Sequence, residues 1–254
     1  SNVYNLIFDS RKVKEGDLFI GLPGEKVDGG MFWREALASG AVAAIIGRSA
    51  ANLSHPINAS VLVIDSIEEF AGKLSSVFWD NPSSKMSLIG ITGTNGKTTT
   101  AYLIEYLSKS LGIPTALFGT LGNRWPGYSE KSTHTTCFAN VLQSKLFAAH
   151  KAGSKFGAME VSSHSLVQNR VAGCQFSGVI FTNLTQDHLD YHFSMEKYFK
   201  AKSILFSPPY LDKESQNAII NIDDIWGKTL SNSLKGRCWR SSLKKKESDS
   251  EKVE

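Results

Sequence analysis

Short, continuously apolar segments alternate with helix-like segments along most of the chain, and this alternation constrains the fold more than any other feature. The segments "SLIGIT", "TALFGT", "FGAMEV", "SGVIFTNL" and "NAIINI" are strand-like, and "KTTTAYLIEYLSKSLG" and "TCFANVLQSKLFAAHKAG" stand between them as helices. Strands that are apolar throughout are typical of a parallel sheet covered on both faces. The sequence therefore predicts an α/β domain built on a mainly parallel sheet.

A smaller α/β unit is predicted ahead of that domain. The apolar runs "DLFIGL", "AVAAIIG" and "SVLVID" alternate with helix-like spacing, and a further helix is expected from about Ser66 to Trp79. The stretch "WDNPSSKMS" then breaks the pattern with Asn-Pro and two serines. We predict an N-terminal domain over 1–83, a central domain over 84–240 and a polar tail over 241–254.

Composition excludes several classes of protein. The 254 residues carry a net charge of only +4, part of it in the tail "LKKKESDSEKVE", so no nucleic-acid-binding surface is indicated. The three cysteines, Cys137, Cys174 and Cys238, form no CxxC pair, which argues against disulfides and a zinc ribbon. No apolar run approaches the roughly 20 residues of a membrane span, and no leader opens the chain. We expect a cytoplasmic protein without a membrane partner.

The stretch "GITGTNGKTTT" is the strongest single motif. Gly96, Lys97 and Thr98 match the end of the phosphate-loop pattern G-x-x-x-x-G-K-[ST], although Ile91 stands where the first glycine is usual. Main-chain N–H groups at the following helix start can cradle phosphate oxygens, Lys97 can reach the β- and γ-phosphates, and Thr98 can hold Mg²⁺. The alternative is an ordinary strand–helix turn with a capping threonine. We predict an ATP site that uses Mg²⁺.

Other polar residues follow strands of the same predicted sheet. Glu160 ends "FGAME", and Asp187 and His188 follow "VIFTNL". Ligands of parallel α/β sheets lie beyond the carboxyl ends of the strands, so an acid and a histidine there could hold a second cation. Taken alone, a histidine after a strand is more often an ordinary loop residue. His188 and His192 are four residues apart, but without the H-E-x-x-H pattern we do not predict zinc.

The segment "SMEKYFKAKSILF" places a lysine on an apolar helix face. At about 100° per residue, Lys202 falls within about 20° of Met195, at the centre of a stripe of apolar and aromatic side chains. The ammonium could snorkel to solvent. Alternatively, Lys202 faces the site, where burial would lower its pKa and expose a neutral amine able to add CO₂. The resulting carbamate is an anion that could hold Mg²⁺.

Four motifs together resemble the Mur ligases, and among them the MurE type. The motifs are "GITGTNGKTTT", "AMEVSSHSLVQNRV", "FTNLTQDHLDYH" and "YFKAKSILF", in this order. "DSRKVKEGDLFIGLPG" is similar to the uridine-binding domain of the same family. The resemblance runs from about Asn5 to about Lys228, and it accounts for the missing glycine because the family's loop has the T-G-T-N-G-K-T form.

The resemblance implies amide-bond formation driven by ATP in peptidoglycan synthesis. The D-glutamate carboxylate of UDP-MurNAc-L-Ala-D-Glu would attack the γ-phosphate and become an acyl phosphate, which the amine of a diamino acid then attacks. A carboxylate is a poor electrophile until one of its oxygens becomes a good leaving group. Cations must therefore neutralise the γ-phosphate and the approaching carboxylate together.

The resemblance also implies roles for individual residues. Contacts to ATP are implied for Gly93, Thr94, Asn95, Gly96, Lys97, Thr98 and Thr99. Contacts to Mg²⁺ are implied for Thr98, Glu160, His188 and Lys202, the last as its carbamate. Contacts to the UDP-MurNAc-peptide are implied for Ser10, Thr135, Thr136, Ser162, Gln168 and Arg170. The implied catalytic residues are Lys97, Glu160, His188 and Lys202.

The family has a third, C-terminal domain, which binds the amino acid and closes over ATP. After "NAIINIDDIWGKTL" the sequence turns polar, and we predict no further strand–helix unit. We therefore expect a monomeric fragment that binds Mg·ATP and the UDP-sugar but does not form product at a useful rate. The N-terminal domain is expected to be incomplete as well.

Two alternatives differ from this hypothesis. A folylpolyglutamate-synthase-like ligase would share the superfamily, but "DSR" followed by "GDLF", and "EVSSHSLVQNR", argue against it. The other is a non-catalytic module that binds a nucleotide or a UDP-sugar. The retained Lys97, Glu160, His188 and Lys202 disfavour a degenerate scaffold, whereas the truncation favours a fragment that binds the UDP-sugar without turnover.

Overall fold

The computed structural model describes residues 3–24, 26–55, 60–132, 135–212, 214, 217–235 and 237–244. These residues form two sheets, one of four strands and one of eight. Most of the predicted polar tail lies outside the described residues. No helix in the described ranges combines the length and apolar character that a membrane crossing needs. Cys137, Cys174 and Cys238 are free thiols, as the sequence predicts.

The four-stranded sheet is entirely parallel, in the order β1-β2-β3-β4. Its strands are β1 Leu6–Ile7, β2 Leu18–Gly21, β3 Ala43–Gly47 and β4 Val61–Ile64. Its helices are α1 Trp33–Ala38, α2 Arg48–Ser54 and α3 Ile67–Phe78. The central strands β2 and β3 bury Phe19, Ile20 and Ile46, which removes apolar surface from water and holds the helices on the sheet.

The eight-stranded sheet has the order β12-β11-β10-β5-β9-β6-β7-β8. Its strands are β5 Ser87–Thr92, β6 Thr115–Gly119, β7 Gly122–Trp125, β8 Tyr128–Glu130, β9 Phe156–Glu160, β10 Gly178–Phe181, β11 Ala218–Asn221 and β12 Trp239–Ser241. The six strands from β12 to β6 are parallel, and β7 and β8 add an antiparallel edge. The predicted mainly parallel sheet is thus confirmed.

Helices on both faces complete the central unit. They are α4 Lys97–Ser110, α5 Ala139–Lys151, α6 Ser163–Val167, α7 Leu189–His192, α8 Met195–Ser203 and α9 Ile225–Ser233. Side-chain caps define several starts: Ser162 accepts from the Ser165 N–H, Ser194 from the Lys197 N–H, and Asp224 from the Gly227 N–H.

Near its end the described chain forms a strand that the sequence did not indicate. α9 leads into β12, which pairs in parallel with β11, and the absence of a further strand–helix unit stays a prediction. All three residues of β12 are exposed, so the strand lacks the apolar signal that marks the inner strands. The strand also runs to Ser241, one residue beyond the predicted central domain.

The two sheets are joined by a close contact between α3 and the turn that contains Ala172 and Gly173. A Cβ on Gly72 of α3 would lie 2.6 Å from the Cβ of Ala172, so only glycine allows this approach. The Ser76 hydroxyl donates to the Gly173 carbonyl oxygen at 2.9 Å. The N-terminal sheet is therefore packed against the central unit, while a domain boundary at residues 83 and 84 stays a prediction.

Candidate functional site

Polar residues converge where the parallel strands β10, β5, β9 and β6 end side by side. The phosphate loop follows β5, Glu160 ends β9, and Thr120 follows β6. The segment that begins with Thr182 follows β10. In such sheets this edge is where ligands bind, so the fold brings three of the sequence-predicted regions to one place.

The phosphate loop depends on two glycines with positive φ. Gly93 has φ +148°, and a Cβ there would lie 1.9 Å from the Thr182 hydroxyl oxygen. Gly96 has φ +84° and directly precedes α4, whose first residue is Lys97. The Asn95 N–H donates to the Asn183 side-chain oxygen at 2.9 Å. The loop is thus held by the segment after β10, with the exposed N-terminus of α4 available to an anion.

Lys97 folds back over the loop. Its ammonium donates to the carbonyl oxygens of Gly93 and Thr94 at 2.9 and 2.8 Å. Burial lowers its pKa, and the nearby carboxylates of Glu160 and Asp187 act in the opposite direction. The ammonium therefore donates to neutral carbonyl oxygens of the loop, and a bound phosphate would offer it a stronger, anionic acceptor.

Glu160 is fully buried and receives several donors. The Thr98 hydroxyl donates to Oε2 at 2.8 Å, and Thr120 donates to Oε1 through its N–H at 2.9 Å. Within the described ranges no lysine, arginine or histidine forms an ion pair with this carboxylate. Burying a carboxylate without a cation is costly, so this donor set fits a divalent cation shared by Thr98 and Glu160.

Lys202 lies beneath the phosphate loop and is only 1% exposed. Its ammonium donates to the Gly93 carbonyl oxygen at 2.8 Å and lies 4.6 Å from the centroid of the Tyr198 ring. Burial, followed by repulsion from Lys97, lowers its pKa to about 7. The side chain does not snorkel, and a substantial fraction is the neutral amine near neutral pH.

His188 lies at the start of α7 in the left-handed conformation, with φ +51°. Its Nε2 is 3.4 Å from the Asp187 carboxylate, and both side chains are about half exposed. Its ring packs against His164, with centroids 4.9 Å apart, and lies 6.1 Å from the Tyr198 ring. In the described part of the chain no hydrogen bond or ion pair joins His188 to Glu160 or Lys202, so its role at a cation stays a prediction.

No cluster of three or more His, Cys, Asp or Glu side chains suited to a metal occurs among the described residues. The predicted cation set draws on only two such residues, together with a threonine and a lysine.

Three of the residues predicted for the UDP-sugar, Thr136, Ser162 and Arg170, form a second group beside Glu160. The Thr136 hydroxyl donates to the Glu160 carbonyl oxygen at 2.9 Å, and the Ser162 N–H donates to Thr136 Oγ1 at 3.3 Å. Arg170 donates to the Thr136 carbonyl oxygen at 3.3 Å and stacks on Phe138 at 4.3 Å. Burial lowers the pKa of Arg170.

Arg170 retains a free donor. Its Nε is buried and has no hydrogen-bond partner among the described atoms. An unpaired buried donor on a cation fits an anionic ligand, because the ligand would supply the missing acceptor.

The remaining predicted ligand residues are more dispersed. Thr135 lies 3.2 Å from the Thr120 hydroxyl, and Gln168 donates to the Tyr191 hydroxyl at 3.3 Å. Thr99 is exposed on the first turn of α4. Ser10 begins a short 3₁₀ turn after β1, on the other sheet, so it does not join the group around Glu160.

Sequence reasoning missed several residues of the site. Thr120, Thr182 and Asn183 each follow a strand end, and that position was the signal available to find them. Tyr198 belongs to the apolar and aromatic stripe around Lys202, and no role at the site was predicted for it. Its hydroxyl is 3.4 Å from the Thr94 hydroxyl oxygen, so it also contacts the loop.

The chain matches two family models of one family. "Mur ligase middle domain" matches residues 91–254, which is more than half of the chain and includes the phosphate loop, Glu160 and Lys202. "Mur ligase family, catalytic domain" matches residues 2–79; despite that description, this range covers the four-stranded sheet and ends before the loop. The chain belongs to the Mur ligase family.

Individual relatives indicate which type of Mur ligase the chain is similar to. A protein of the cyanobacterium Prochlorococcus marinus, named UDP-N-acetylmuramoyl-L-alanyl-D-glutamate–2,6-diaminopimelate ligase, is 58% identical over 244 residues, which are 95% of this chain and 48% of the relative. The chain spans about half the length of the curated relatives it matches.

Solved structures agree with this assignment. A structure of a ligase with the same name has a TM-score of 0.78 and 32% identity, and the match covers 94% of this chain and 48% of that one. The MurF ligase of Thermotoga maritima in complex with ADP has a TM-score of 0.62 at 21% identity over 94% of this chain and 50% of that one, which shows a shared fold.

Proposed function

We propose that this chain is the part of a cytoplasmic MurE-type ligase that binds the UDP-sugar and ATP. The whole protein would join UDP-MurNAc-L-Ala-D-Glu to a diamino acid in peptidoglycan synthesis. The names of the relatives favour 2,6-diaminopimelate as that amino acid. Identity of 58% to such a relative favours this function over a folylpolyglutamate-synthase-like one.

One observation carries the proposal: Glu160 contacts Thr98 at the start of α4 and lies beside the group around Arg170, while Lys202 contacts Gly93 of the phosphate loop. Thr98 donates to Glu160, and Lys202 donates to Gly93 of the loop. The γ-phosphate of ATP would lie between the loop and this edge of the sheet, with Lys97 turned from the loop carbonyls toward it. The D-glutamate carboxylate would approach from the side of Thr136 and Arg170.

Mg²⁺ fits the chemistry of these residues. Thr98 and Glu160 would hold it, because the Thr98 oxygen keeps free lone pairs while its proton is donated to Glu160. When bound, the ion neutralises phosphate charge and so eases attack by an anionic carboxylate. Lys97 orients the terminal phosphates, and Arg170 orients the anionic substrate.

We also propose that Lys202 carries a carbamate. The neutral amine attacks CO₂, a C–N bond forms, and one proton leaves to solvent. Burial favours this step because it lowers the pKa of the amine to about 7. The carbamate nitrogen keeps one N–H, which can still donate to Gly93, and the new carboxylate adds a negative charge at the phosphate loop.

Calorimetry on the full chain tests the proposal. We expect binding of Mg·ATP and, separately, of UDP-MurNAc-L-Ala-D-Glu. Lys97→Met should weaken Mg·ATP binding at least about tenfold, since a charge-assisted contact to phosphate is lost. Lys155→Met is the matched control, because this exposed lysine lies at the opposite end of β9. Equal affinity of the two variants for Mg·ATP, or no binding of either ligand, would contradict the proposal.

A further inference from the structure

Thr120 contacts both groups of the site. Its main-chain N–H donates to Glu160 Oε1 at 2.9 Å, and its hydroxyl is 3.1 Å from Glu160 Oε2. The same hydroxyl is 3.2 Å from the hydroxyl of Thr135. Thr120 thus touches the carboxylate that faces the ATP side and a threonine proposed to contact the UDP-sugar.

The Thr120 hydroxyl has one proton and two possible acceptors. A threonine hydroxyl donates once and accepts through its lone pairs. The Glu160 carboxylate is charged and buried, so it is a much stronger acceptor than the Thr135 hydroxyl. The proton of Thr120 therefore goes to Glu160, and the Thr135 hydroxyl is the weaker, competing acceptor.

Gly119, the residue before Thr120, allows the Glu160 carboxylate to come close to the Thr120 main chain. A Cβ on Gly119 would lie 2.2 Å from Glu160 Oε1, so a glycine is needed to let the carboxylate reach the Thr120 N–H. Thr120 itself is exposed. The core does not need its side chain, yet both of its donor groups are aimed at one buried carboxylate.

We propose that Thr120 is a positioning residue that orients Glu160 for the cation of Mg·ATP. This inference rests on the proposed function, because it assumes that Glu160 contacts the cation. Groups that orient a metal-binding carboxylate commonly change metal affinity by about 10- to 100-fold when they are removed.

Calorimetry with ATP in the presence and absence of Mg²⁺ tests the positioning role. Thr120→Val keeps the shape and the main-chain N–H but removes the hydroxyl. We expect it to weaken binding of Mg·ATP about tenfold and to leave binding of ATP in EDTA unchanged. Thr120→Ser should restore Mg·ATP binding because it restores the hydroxyl. An equal loss with and without Mg²⁺ would mean that the substitution disturbs the loop rather than Glu160.

The outcomes separate this inference from the proposed function. If the wild-type chain binds no Mg·ATP, the proposed function fails. If the wild type binds Mg·ATP and Thr120→Val binds it equally well, only the role of Thr120 fails.

Discussion

Replacing Lys202 with methionine should stabilise the folded chain, and the size of the effect should depend on pH. A pKa of about 7 in place of 10.5 means that the fold disfavours the protonated amine. At about 1.4 kcal/mol per pKa unit, holding the ammonium in this site costs about 5 kcal/mol. Methionine has similar length and no charge, so it removes this cost.

Two favourable contacts are lost with the ammonium. The hydrogen bond to Gly93 contributes about 1 kcal/mol, and the contact with the Tyr198 ring contributes about 1–2 kcal/mol. The Gly93 oxygen keeps a donor, because Lys97 also reaches it at 2.9 Å. We therefore expect Lys202→Met to raise the free energy of unfolding by about 2 kcal/mol below pH 7.

The sign of the pH dependence follows from proton linkage. Between about pH 7 and 10.5 the unfolded chain keeps the Lys202 proton while the folded chain has lost it, so wild-type stability rises with pH. The advantage of Lys202→Met should therefore shrink from about pH 7, vanish about 1.5 pH units higher and change sign above that. Urea unfolding in CO₂-free buffer without nucleotide measures both proteins, with Lys200→Met as the control on the exposed face of α8. A difference between wild type and Lys202→Met that is constant with pH would refute the burial of the charge.

Three further results are expected. With ¹³C-bicarbonate, a carbamate resonance should appear in wild-type chain and be missing from Lys202→Met; the same spectrum in both would place any carbamate elsewhere. Arg170→Ala should weaken UDP-MurNAc-dipeptide binding at least about tenfold while sparing Mg·ATP, with Arg48→Ala as an exposed control; parallel loss of both ligands would indicate unfolding. Gly93→Ala should lower stability by more than about 2 kcal/mol, because its Cβ would lie 1.9 Å from Thr182. Gly153→Ala, at φ +92° with open space, should cost only about 1 kcal/mol, and equal costs would remove the steric argument.

The inner strands could be predicted from sequence because each is apolar on both faces. The hairpin of β7 and β8 could not, since "GNRWPGYSE" offers neither an apolar run nor clear alternation. Lys202 could be found because a charge at the centre of an apolar helix stripe is anomalous, and it is indeed buried. Thr120 could not, because a threonine after a strand is common. Only the fold shows that β6 lies beside β9 and brings Thr120 to Glu160.

The contact of α3 with Ala172 and Gly173 has a consequence for the size of the ligand. The close contact at Gly72, which leaves no room for a larger side chain, packs the four-stranded sheet directly against the central unit. The two units are therefore not connected by a linker alone. The distance between Ser10, in the turn after β1, and Thr135, between β8 and α5, is then set by this packing. If both residues bind the UDP-sugar as predicted, this distance sets the length of spacer that the ligand needs between its uridine and its peptide. An analogue with a longer or shorter spacer would contact only one of the two residues.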